Sequence, residues 1–247
     1  MRYFLDIAYN GKNYHGWQVQ NNAVSVQEVI NKCLSLQLQE EIFVQGSGRT
    51  DSGVHCKQQF AHFDCKEELH QQNFLHKINA FLPNDIVINN VLKVKEDAHA
   101  RFSALARSYQ YHVVLKKNPF NVDFTYKLVH SPNVEQMNQA AEILTKYQDF
   151  EYFCKSNSGN EHFLCDVTNA YWQQENDVLV FYIQANRFLR GMVRLITGAL
   201  LEVGFEKLSL SEFENLLKNK PKRKSKYAVP PEGLFLTKVL YPKEIWK

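Results

Sequence analysis

Hydrophobic and polar residues alternate along several short segments of the chain, and elsewhere the hydrophobic residues recur at helical spacing. The first alternating segment, "RYFLDIAY", predicts a strand over Tyr3 to Tyr9. Glycines then interrupt the pattern in "NGKNYHGWQVQ", where Trp17 is predicted to be exposed. Ser25 and Glu28 have the spacing of an N-terminal capping box and predict that a helix begins after Ser25. The apolar stripe of this helix comprises Val26, Val29, Ile30, Cys33 and Leu36.

Further elements follow these two patterns as far as residue 105. In chain order they are a strand at "IFVQ", a glycine-rich loop, a strand from Gln58 to Asp64, a helix near Glu67 to Phe81, and a strand that begins at Asp85. The first part of the chain is therefore predicted to mix strands and helices.

A second series of elements begins at "RSYQYHVVLK", a predicted strand with Tyr109, Tyr111, Val113 and Leu115 on one face. The later elements are a helix from Val134 to Tyr147, strands from Phe163 to Gln173 and from Val178 to Ala185, helices from Phe188 to Val203 and from Ser211 to Leu217, and a closing strand, "LFLTKVL". The two series have similar content. They predict two α+β halves, residues 1–105 and 106–247, which share or adjoin one sheet and are expected to form a site where they meet.

The composition is that of an ordinary globular protein. Of 247 residues 45% are hydrophobic, and 29 basic residues against 26 acidic ones give a net charge of +3, which neither requires nor excludes a polyanionic partner. The N-terminal segment has no basic stretch followed by an apolar run, so no signal peptide or membrane span is predicted and a cytoplasmic location is expected. The five cysteines form no C-x-x-C pair, which predicts free thiols.

Four metal-capable residues lie close together in the sequence: His55, Cys56, His62 and Cys65. The segment "QQFAHFD" alternates like a strand, and the odd separation of His62 from Cys65 predicts opposite faces for these two side chains. The spacing also matches none of the usual zinc templates. Ordinary packing is therefore the prediction, with a zinc site as the minor alternative.

The segment "GSGRTDSGVHC", Gly46 to Cys56, has the residues best suited to chemistry. It does not fit a phosphate-binding loop, because the lysine of a Walker motif and the third glycine of a dinucleotide motif are missing. An aspartic protease needs two carboxylates that share a proton, whereas "DSG" occurs once, so a hydrolase site completed by a second copy of the chain is a minor alternative. The other interpretation is a structural turn in which Asp51 caps neighbouring amides.

Charge and glycine placement favour a functional role for this loop. Arg49 precedes Asp51 by two residues, and an arginine about 4 Å from a carboxylate stabilises the ionised form by roughly 4 kcal/mol before desolvation, at an effective dielectric constant near 20. Gly46, Gly48 and Gly53 would allow a ligand to approach the backbone closely. The residues alone leave a nucleophile or base and a structural turn equally open.

The loop sequence "GRTDSGVH" closely resembles the signature "GRTDAGVH" of the TruA family of tRNA pseudouridine synthases. Other blocks resemble the family in the same order: "YNGKNYHGWQVQ" with "SVQE", "INAFLPNDI", "AHARFSALARSYQYHV", "NRFLRGMVRLITGALLEVG" and "PPEGLFLTKVLY". Together these blocks extend over nearly the whole chain. Two positions depart slightly from the pattern, Ser52 and Cys56, and "CKSNSGNEHFLCDV" lacks an element that many relatives carry, so no function is transferred to Cys165 or Asp166.

The resemblance implies an α+β fold of two ferredoxin-like halves, joined in one mostly antiparallel sheet with helices on one side and a basic central cleft. It implies isomerisation of uridine to pseudouridine in the anticodon stem-loop of tRNA, at positions 38 to 40, by a homodimer that needs no cofactor. The reaction moves the ribose C1′ bond from a base nitrogen to C5, and a carboxylate near the anomeric carbon is suited to it, as in retaining glycosidases. A catalytically silent RNA-binding relative is the alternative.

The same resemblance implies residue roles. Asp51 matches the catalytic aspartate, taken here as the nucleophile, and Tyr109 matches the active-site tyrosine that packs on the target base, while Tyr111 is predicted to pack in the core. Arg194 belongs to the active-site rim and is expected to pair with Asp51. Arg187 and Arg190 are substrate-binding candidates, because spacings of three and four would place them on one helical stripe with Arg194.

Additional cations are needed because turning a nucleotide out of its stack costs a few kcal/mol, while one aromatic platform returns only about 1 to 3 kcal/mol. The tract "KNKPKRKSK" has six cations and no acid, and within it Lys222, Arg223 and Lys224 are predicted to bind RNA phosphates. A solvated basic loop is the alternative for such a run. Further candidates for phosphate contacts are Lys12, Arg101 and Arg107.

Overall fold

The computed structural model describes residues 1–155, 159, 161–221 and 227–247. They divide into two compact units, the first made of Met1–Leu105 with Phe235–Lys247 and the second of Ala106–Leu234. The C-terminal segment, predicted as part of the second half, groups with the first unit instead.

The first unit is a mostly antiparallel sheet with two helices. Its elements are β1 (Arg2–Tyr9), α1 (Val26–Leu38), β2 (Gln45–Gly46), β3 (His55–Asp64), α2 (Gln71–Phe81), β4 (Ile86–Lys93) and β9 (Leu234–Leu240). The strand order is β4-β1-β3-β9, with β2 paired to β3 beside its C-terminal half. Only the β3–β9 pair is parallel, and it joins His55 to Phe235 and Cys56 to Leu236.

Side-chain hydrogen bonds explain where the first unit departs from the sequence pattern. Only Gln45 of the predicted strand "IFVQ" lies in a strand, because the Ile42 and Val44 N–H groups donate instead to the side chains of Ser35 and Asn31 on α1, both at 2.9 Å. The helix predicted near Glu67 begins only at Gln71, since the Leu69 N–H donates to the Tyr3 hydroxyl at 3.0 Å. These three N–H groups are therefore bonded to side chains rather than to the backbone of a strand or helix.

Helix α1 begins as predicted, with the Ser25 hydroxyl accepting from the Glu28 N–H at 3.3 Å. Its buried residues are Val26, Gln27, Ile30 and Leu34. The prediction that Leu36 lies on the buried stripe is wrong, since its side chain is 72% exposed. The reason is that Val26, Ile30 and Leu34, spaced by four, define the face that meets the core.

The second unit has the same mixture of strands and helices. Its elements are β5 (Ala106–Val114), β6 (Tyr126–Lys127), α3 (Val134–Leu144), β7 (Val167–Glu175), β8 (Val178–Ala185), α4 (Met192–Gly204) and α5 (Leu210–Asn219). Strands β5, β8 and β7 are neighbours in antiparallel register, and β6 pairs with β5 in parallel. The predicted combination of strands and helices is confirmed in both units.

Helix α4 is the most buried helix of the second unit, and eleven of its thirteen residues are buried. Its predicted start at Phe188 is wrong, because Gly191 adopts φ 71° and the helix begins only at Met192. A left-handed residue at this point breaks the helical hydrogen-bond pattern, and glycine adopts that conformation without steric cost. Within the described ranges, none of the helices combines the length and apolar character that a membrane span requires.

Candidate active site

Main-chain hydrogen bonds fix the path of the loop between β2 and β3, which carries Asp51. The Ser47 N–H donates to the Phe60 carbonyl at 2.7 Å, and the Gln59 side-chain amide donates to the Gly48 carbonyl at 3.3 Å. Further along the loop, the Trp17 N–H donates to the Thr50 carbonyl at 3.2 Å. The loop is therefore attached to β3 on one side and to the segment after β1 on the other.

A buried hydroxyl contact lies immediately before Asp51. The Tyr9 hydroxyl is 2.8 Å from the Thr50 hydroxyl and donates to Gln59 Oε1 at 3.4 Å. Tyr9 and Thr50 are 5% and 8% exposed, and Gln59 is fully buried. Buried polar groups that satisfy one another in this way hold the backbone in one conformation.

Asp51 itself opens a tight turn and is half-buried. Its carbonyl accepts from the Val54 N–H at 3.2 Å, and the Tyr14 carbonyl accepts from the Gly53 N–H at 3.2 Å and the Ser52 hydroxyl at 3.4 Å. Gly53 has φ 76°, a conformation that favours glycine. The loop is thus a defined turn whose closure depends on main-chain groups and on Tyr14.

The three glycines of the loop are subject to different structural constraints. Gly46 is required by packing, since a Cβ there would lie 2.5 Å from the Trp17 indole nitrogen, and Gly53 is required by its backbone angle. Gly48 has no such constraint: a Cβ at this position would meet nothing within 4 Å among the described residues. Of the three, Gly48 is therefore the one whose small size is left for a ligand to explain.

Arg49 is exposed next to Asp51 in the loop. The two side chains leave the same turn two residues apart, and stabilisation of the ionised Asp51 carboxylate by Arg49 stays a prediction.

Each of the four metal-capable residues near the loop has a contact with the main chain. His55 Nδ1 and His62 Nδ1 accept from the N–H groups of Gly11 at 3.1 Å and Ala100 at 3.2 Å. The thiols of Cys56 and Cys65 point to the carbonyls of Ile7 and Glu67. In the described residues, no three histidine, cysteine or acidic side chains are grouped as a metal site would require.

Tyr109 and Tyr111 differ in burial although both belong to β5. Tyr111 is fully buried, its hydroxyl donates to the Pro230 carbonyl at 2.8 Å, and burial raises the pKa of that hydroxyl well above its usual value. Its predicted packing role is confirmed. Tyr109 is half-buried, and its ring meets Phe188 edge-on with 5.0 Å between centroids. Tyr109 is therefore supported at one edge and partly accessible.

Of the three arginines predicted to share one helical stripe, Arg194 is the only one that lies on helix α4. It is half-buried, its Nε donates to the Val229 carbonyl at 2.7 Å, and the Val229 N–H donates to the Arg194 carbonyl at 3.3 Å. The segment that follows the basic tract is thereby attached to the first turn of α4. The position of Arg194 is consequently set by the backbone of residues 227–230 as well as by the helix.

The predicted helical stripe of Arg187, Arg190 and Arg194 is wrong, because Arg187 and Arg190 precede the helix. Arg187 is half-buried and directs its Nη1 to the His162 ring, 2.9 Å from Nε2. Arg190 is exposed, and its carbonyl accepts from the Lys155 N–H at 2.9 Å. The three guanidinium groups therefore leave the backbone from a loop and a helix rather than from one face.

The predicted phosphate contacts divide into those that the structure describes and those outside it. Lys222, Arg223 and Lys224 lie outside the described residues. Lys12 and Arg101 are exposed, whereas Arg107 is half-buried and donates to the Asn186 carbonyl at 2.8 Å. Arg107 therefore has a structural contact of its own.

Two features of the site have no signal in the sequence pattern. Tyr9 and Thr50 are 41 residues apart, and no local pattern links them. The prediction that Trp17 is exposed is wrong, since it is only 1% exposed and stacks on Tyr9 with 6.2 Å between ring centroids. The polar, glycine-containing surroundings of Trp17 favour exposure, but the ring is covered by residues distant in sequence.

Comparison with known proteins identifies the family. A family model described as tRNA pseudouridine synthase matches residues 7–103 and 140–242. A protein of Azobacteroides pseudotrichonymphae named tRNA pseudouridine synthase A is 42% identical to this chain over 246 residues, covering 100% of this chain and 99% of that protein. Proteins of the same name from Parabacteroides distasonis and Bacteroides thetaiotaomicron are 43% and 44% identical, and each covers 99% of this chain, with 98% and 92% of their own lengths matched.

These matches confirm the resemblance first indicated by "GRTDSGVH" and the blocks around it. They extend over both units and include the Asp51 loop, strand β5 and helix α4. Since the family model matches most of the chain and the relatives match nearly all of it, the chain belongs to the tRNA pseudouridine synthase family, isomerases that act on uridine in tRNA.

Proposed function

We propose that this synthase modifies uridines in the anticodon stem and loop of tRNA, with Asp51 as the catalytic nucleophile. The observation that carries the role of Asp51 is the construction of its loop. Hydrogen bonds to β3, Trp17 and Tyr14 fix the backbone on both sides of a half-buried carboxyl group. Pre-organisation of this kind keeps a reacting group in place without an ordering cost during the reaction.

The chemistry explains why a carboxylate is suited to this position. The bond from ribose C1′ to N1 of uracil breaks, the base rotates, and C1′ bonds to C5; C5 then loses its hydrogen and N1 gains one. The product is an isomer of the substrate, so no oxidant, reductant or energy source takes part. Asp51 would stabilise or trap the electron-deficient sugar while the base rotates, as carboxylates do in retaining glycosidases.

Tyr109 and Arg194 are proposed to contact the same uridine. The accessible side of the Tyr109 ring is suited to packing on uracil, and its hydroxyl to proton transfer at C5, while Phe188 supports the other edge. Arg194 is proposed to pair with Asp51 at the rim of the site. Its Nε donates to the Val229 carbonyl, and this hydrogen bond fixes the direction of the guanidinium group.

Affinity for tRNA is proposed to come mainly from cations around this site. Arg187 and Arg190 are candidates for phosphate contacts, and so are Lys222, Arg223 and Lys224 from the basic tract. Turning the uridine out of its stack costs a few kcal/mol, which one aromatic contact hardly offsets. Phosphate contacts would therefore supply much of the remaining binding free energy.

The wider architecture is proposed from the family resemblance. It comprises two ferredoxin-like halves in one sheet, with helices on one side and a basic central cleft, and a homodimer that holds one tRNA with both subunits. A tRNA substrate would place the enzyme in the cytoplasm. Sedimentation of the protein with and without tRNA would test the dimer: a species of one chain per bound tRNA would contradict it.

The function is tested by mapping pseudouridine in tRNA after incubation with Asp51→Asn and with the wild-type protein. Asp51→Asn should fold and bind tRNA but form no pseudouridine, whereas Asp177→Asn, an exposed carboxylate in the β7–β8 turn, should remain fully active. If Asp51→Asn formed pseudouridine at the wild-type rate, Asp51 would not be the catalytic nucleophile. Product outside the anticodon arm would exclude the proposed target, and a wild-type protein that binds tRNA without product would be a silent relative.

A further inference from the structure

Two exposed side chains lie shortly before residue 105, where the chain passes from the first unit to the second, and one of them, Arg101, is a phosphate-contact candidate named above. Phe102 is 74% exposed, and Arg101 beside it is also exposed. The Arg101 guanidinium lies over the Phe102 ring, 5.4 Å from its centroid. An exposed aromatic ring beside an arginine offers the two contacts that single-stranded nucleic acid uses, a stacking surface and a cation.

The turn that presents these side chains is built around His99. The ring nitrogen Nδ1 of His99 accepts from the N–H groups of both Arg101, at 3.1 Å, and Phe102, at 3.3 Å. Ser103 closes the turn, because its N–H donates to the His99 carbonyl and its hydroxyl accepts from the His99 N–H, both at 2.9 Å. The Phe102 ring rests on the His99 ring with 4.4 Å between centroids. The aromatic surface is therefore held in a fixed direction rather than on a loose loop.

The same histidine connects the turn to the base of the catalytic loop. Because Nδ1 of His99 accepts two hydrogen bonds, Nε2 carries the proton and donates to Gln45 Oε1 at 3.1 Å. Gln45 forms β2 with Gly46, and the loop to Asp51 leaves from this strand. The other face of the turn is fixed by His62, whose Nδ1 accepts from the Ala100 N–H. The turn and the base of the Asp51 loop are thus linked by a hydrogen bond within one unit.

We propose that Arg101 and Phe102 form a nucleotide-binding subsite, on which a base next to the target uridine stacks while Arg101 contacts its phosphate. The proposal rests on the tRNA substrate of the proposed function. Turning out the uridine breaks the stacking of its neighbours, and a second aromatic platform would replace part of it. Stacking of one base contributes about 1 to 3 kcal/mol and tolerates any base, while arginine is suited to planar contact with phosphate.

Substitutions of Phe102 test the stacking contact. Phe102→Ala should raise the KM for tRNA at least about fivefold, the loss expected from the weakest single stacking interaction, and should change kcat little. Phe102→Trp should keep wild-type KM. Phe81→Ala is the matched control, because Phe81 is 61% exposed in the same unit and lies at the end of α2. Equal KM for Phe102→Ala and Phe81→Ala would overturn the proposal.

Substitutions of Arg101 test the phosphate contact. Arg101→Ala removes one phosphate contact and should reduce the slope of log Kd against log salt concentration by about 0.7 to 0.9. Arg101→Lys keeps the charge and should restore most of the wild-type slope. Binding measured in the Asp51→Asn background separates the subsite from catalysis, since a loss of affinity there stands whether or not pseudouridine is formed. A changed oligomeric state of Phe102→Ala without tRNA would instead assign the ring to contact with a second copy of the chain and overturn the RNA subsite.

Discussion

The hydroxyl of Tyr9, at the end of β1, lies 2.8 Å from the hydroxyl of Thr50, the residue before Asp51. Tyr9→Phe removes this contact and leaves the buried Thr50 hydroxyl short of a partner, which should cost about 1 to 2 kcal/mol of unfolding free energy. Pseudouridine formation should lose kcat more than KM, because the backbone that positions Asp51 loosens.

The control for this prediction is Tyr182→Phe, which removes a hydroxyl that contacts Glu175 at the surface. It should change the unfolding free energy by less than about 0.5 kcal/mol and leave kcat unchanged. Denaturant unfolding and steady-state kinetics of both variants provide the measurement. An effect of Tyr9→Phe no larger than that of Tyr182→Phe would show that the hydroxyl pair does not position the loop.

The glycines of the loop should separate stability from RNA binding. Gly46→Ala forces a Cβ to within 2.5 Å of the Trp17 indole and should destabilise the fold by about 1 to 3 kcal/mol. A Cβ at position 48 would meet nothing within 4 Å in the described part of the chain, so Gly48→Ala should have an unfolding temperature at least as high as that of the wild type. If RNA passes over the loop, the same variant should bind tRNA more weakly. Thermal unfolding and tRNA titration measure the two effects. Wild-type affinity of Gly48→Ala would exclude RNA contact at that position.

His62 should make the fold sensitive to mild acid. Burial, then the neighbouring charges of His99 and Arg2, lowers the pKa of His62 to about 4. The ring is thus neutral in the fold, whereas the unfolded chain takes up a proton below about pH 6.5. Stability should therefore fall as the pH decreases from about 6.5 to 5, with a slope of up to about 1.4 kcal/mol per pH unit from this group.

The pH dependence can be assigned by comparing two histidine variants. His62→Gln should flatten the decrease of unfolding free energy between about pH 6.5 and 5, where most carboxylates remain ionised. His76→Gln, at an exposed position on α2, should leave the slope as in the wild type. Denaturant titrations at several pH values measure the slopes. Equal slopes for the two variants would show that His62 is not responsible.

Neutralising the basic tract should weaken tRNA binding through its electrostatic part. Replacement of Lys222, Arg223 and Lys224 by glutamine should lower affinity for all tRNA sequences alike and reduce the dependence on salt by about 0.7 to 0.9 for each phosphate contact that the substitutions remove. A control of equal charge replaces exposed lysines elsewhere: Lys66, Lys77 and Lys95. Equal salt slopes for the two triple variants would mean that net charge, not the tract, determines binding.

Regular elements are predictable where the local pattern agrees with the packing. Strands Val178–Ala185 and Leu234–Leu240 have the predicted bounds, because each is a run of strand-forming residues next to turn or polar residues. Predictions fail where a side-chain hydrogen bond to the backbone or the backbone angle of one residue decides. Ser35 and Asn31 keep the predicted strand "IFVQ" against a helix, and one left-handed residue, Gly191, separates Arg187 and Arg190 from α4.

The candidate site is predictable mainly through family resemblance. Asp51 and Tyr109 are each compatible with a structural role on chemical grounds, and only the matching blocks single them out. The supporting residues around them are not predictable, because Tyr9, Thr50 and Gln59 meet only through the pairing of β1 with β3. Catalytic groups therefore leave a readable motif, whereas the residues that position them are identified by tertiary contacts.

The burial of Trp17 gives the protein an internal fluorescent reporter. Its indole lies against Gly46 and stacks on Tyr9, so its emission depends on the environment at the base of the Asp51 loop. The sequence contains three tryptophans, and phenylalanine at positions 172 and 246 would leave this one alone. Movement of the loop when tRNA binds could then be followed by the emission wavelength, without an attached dye.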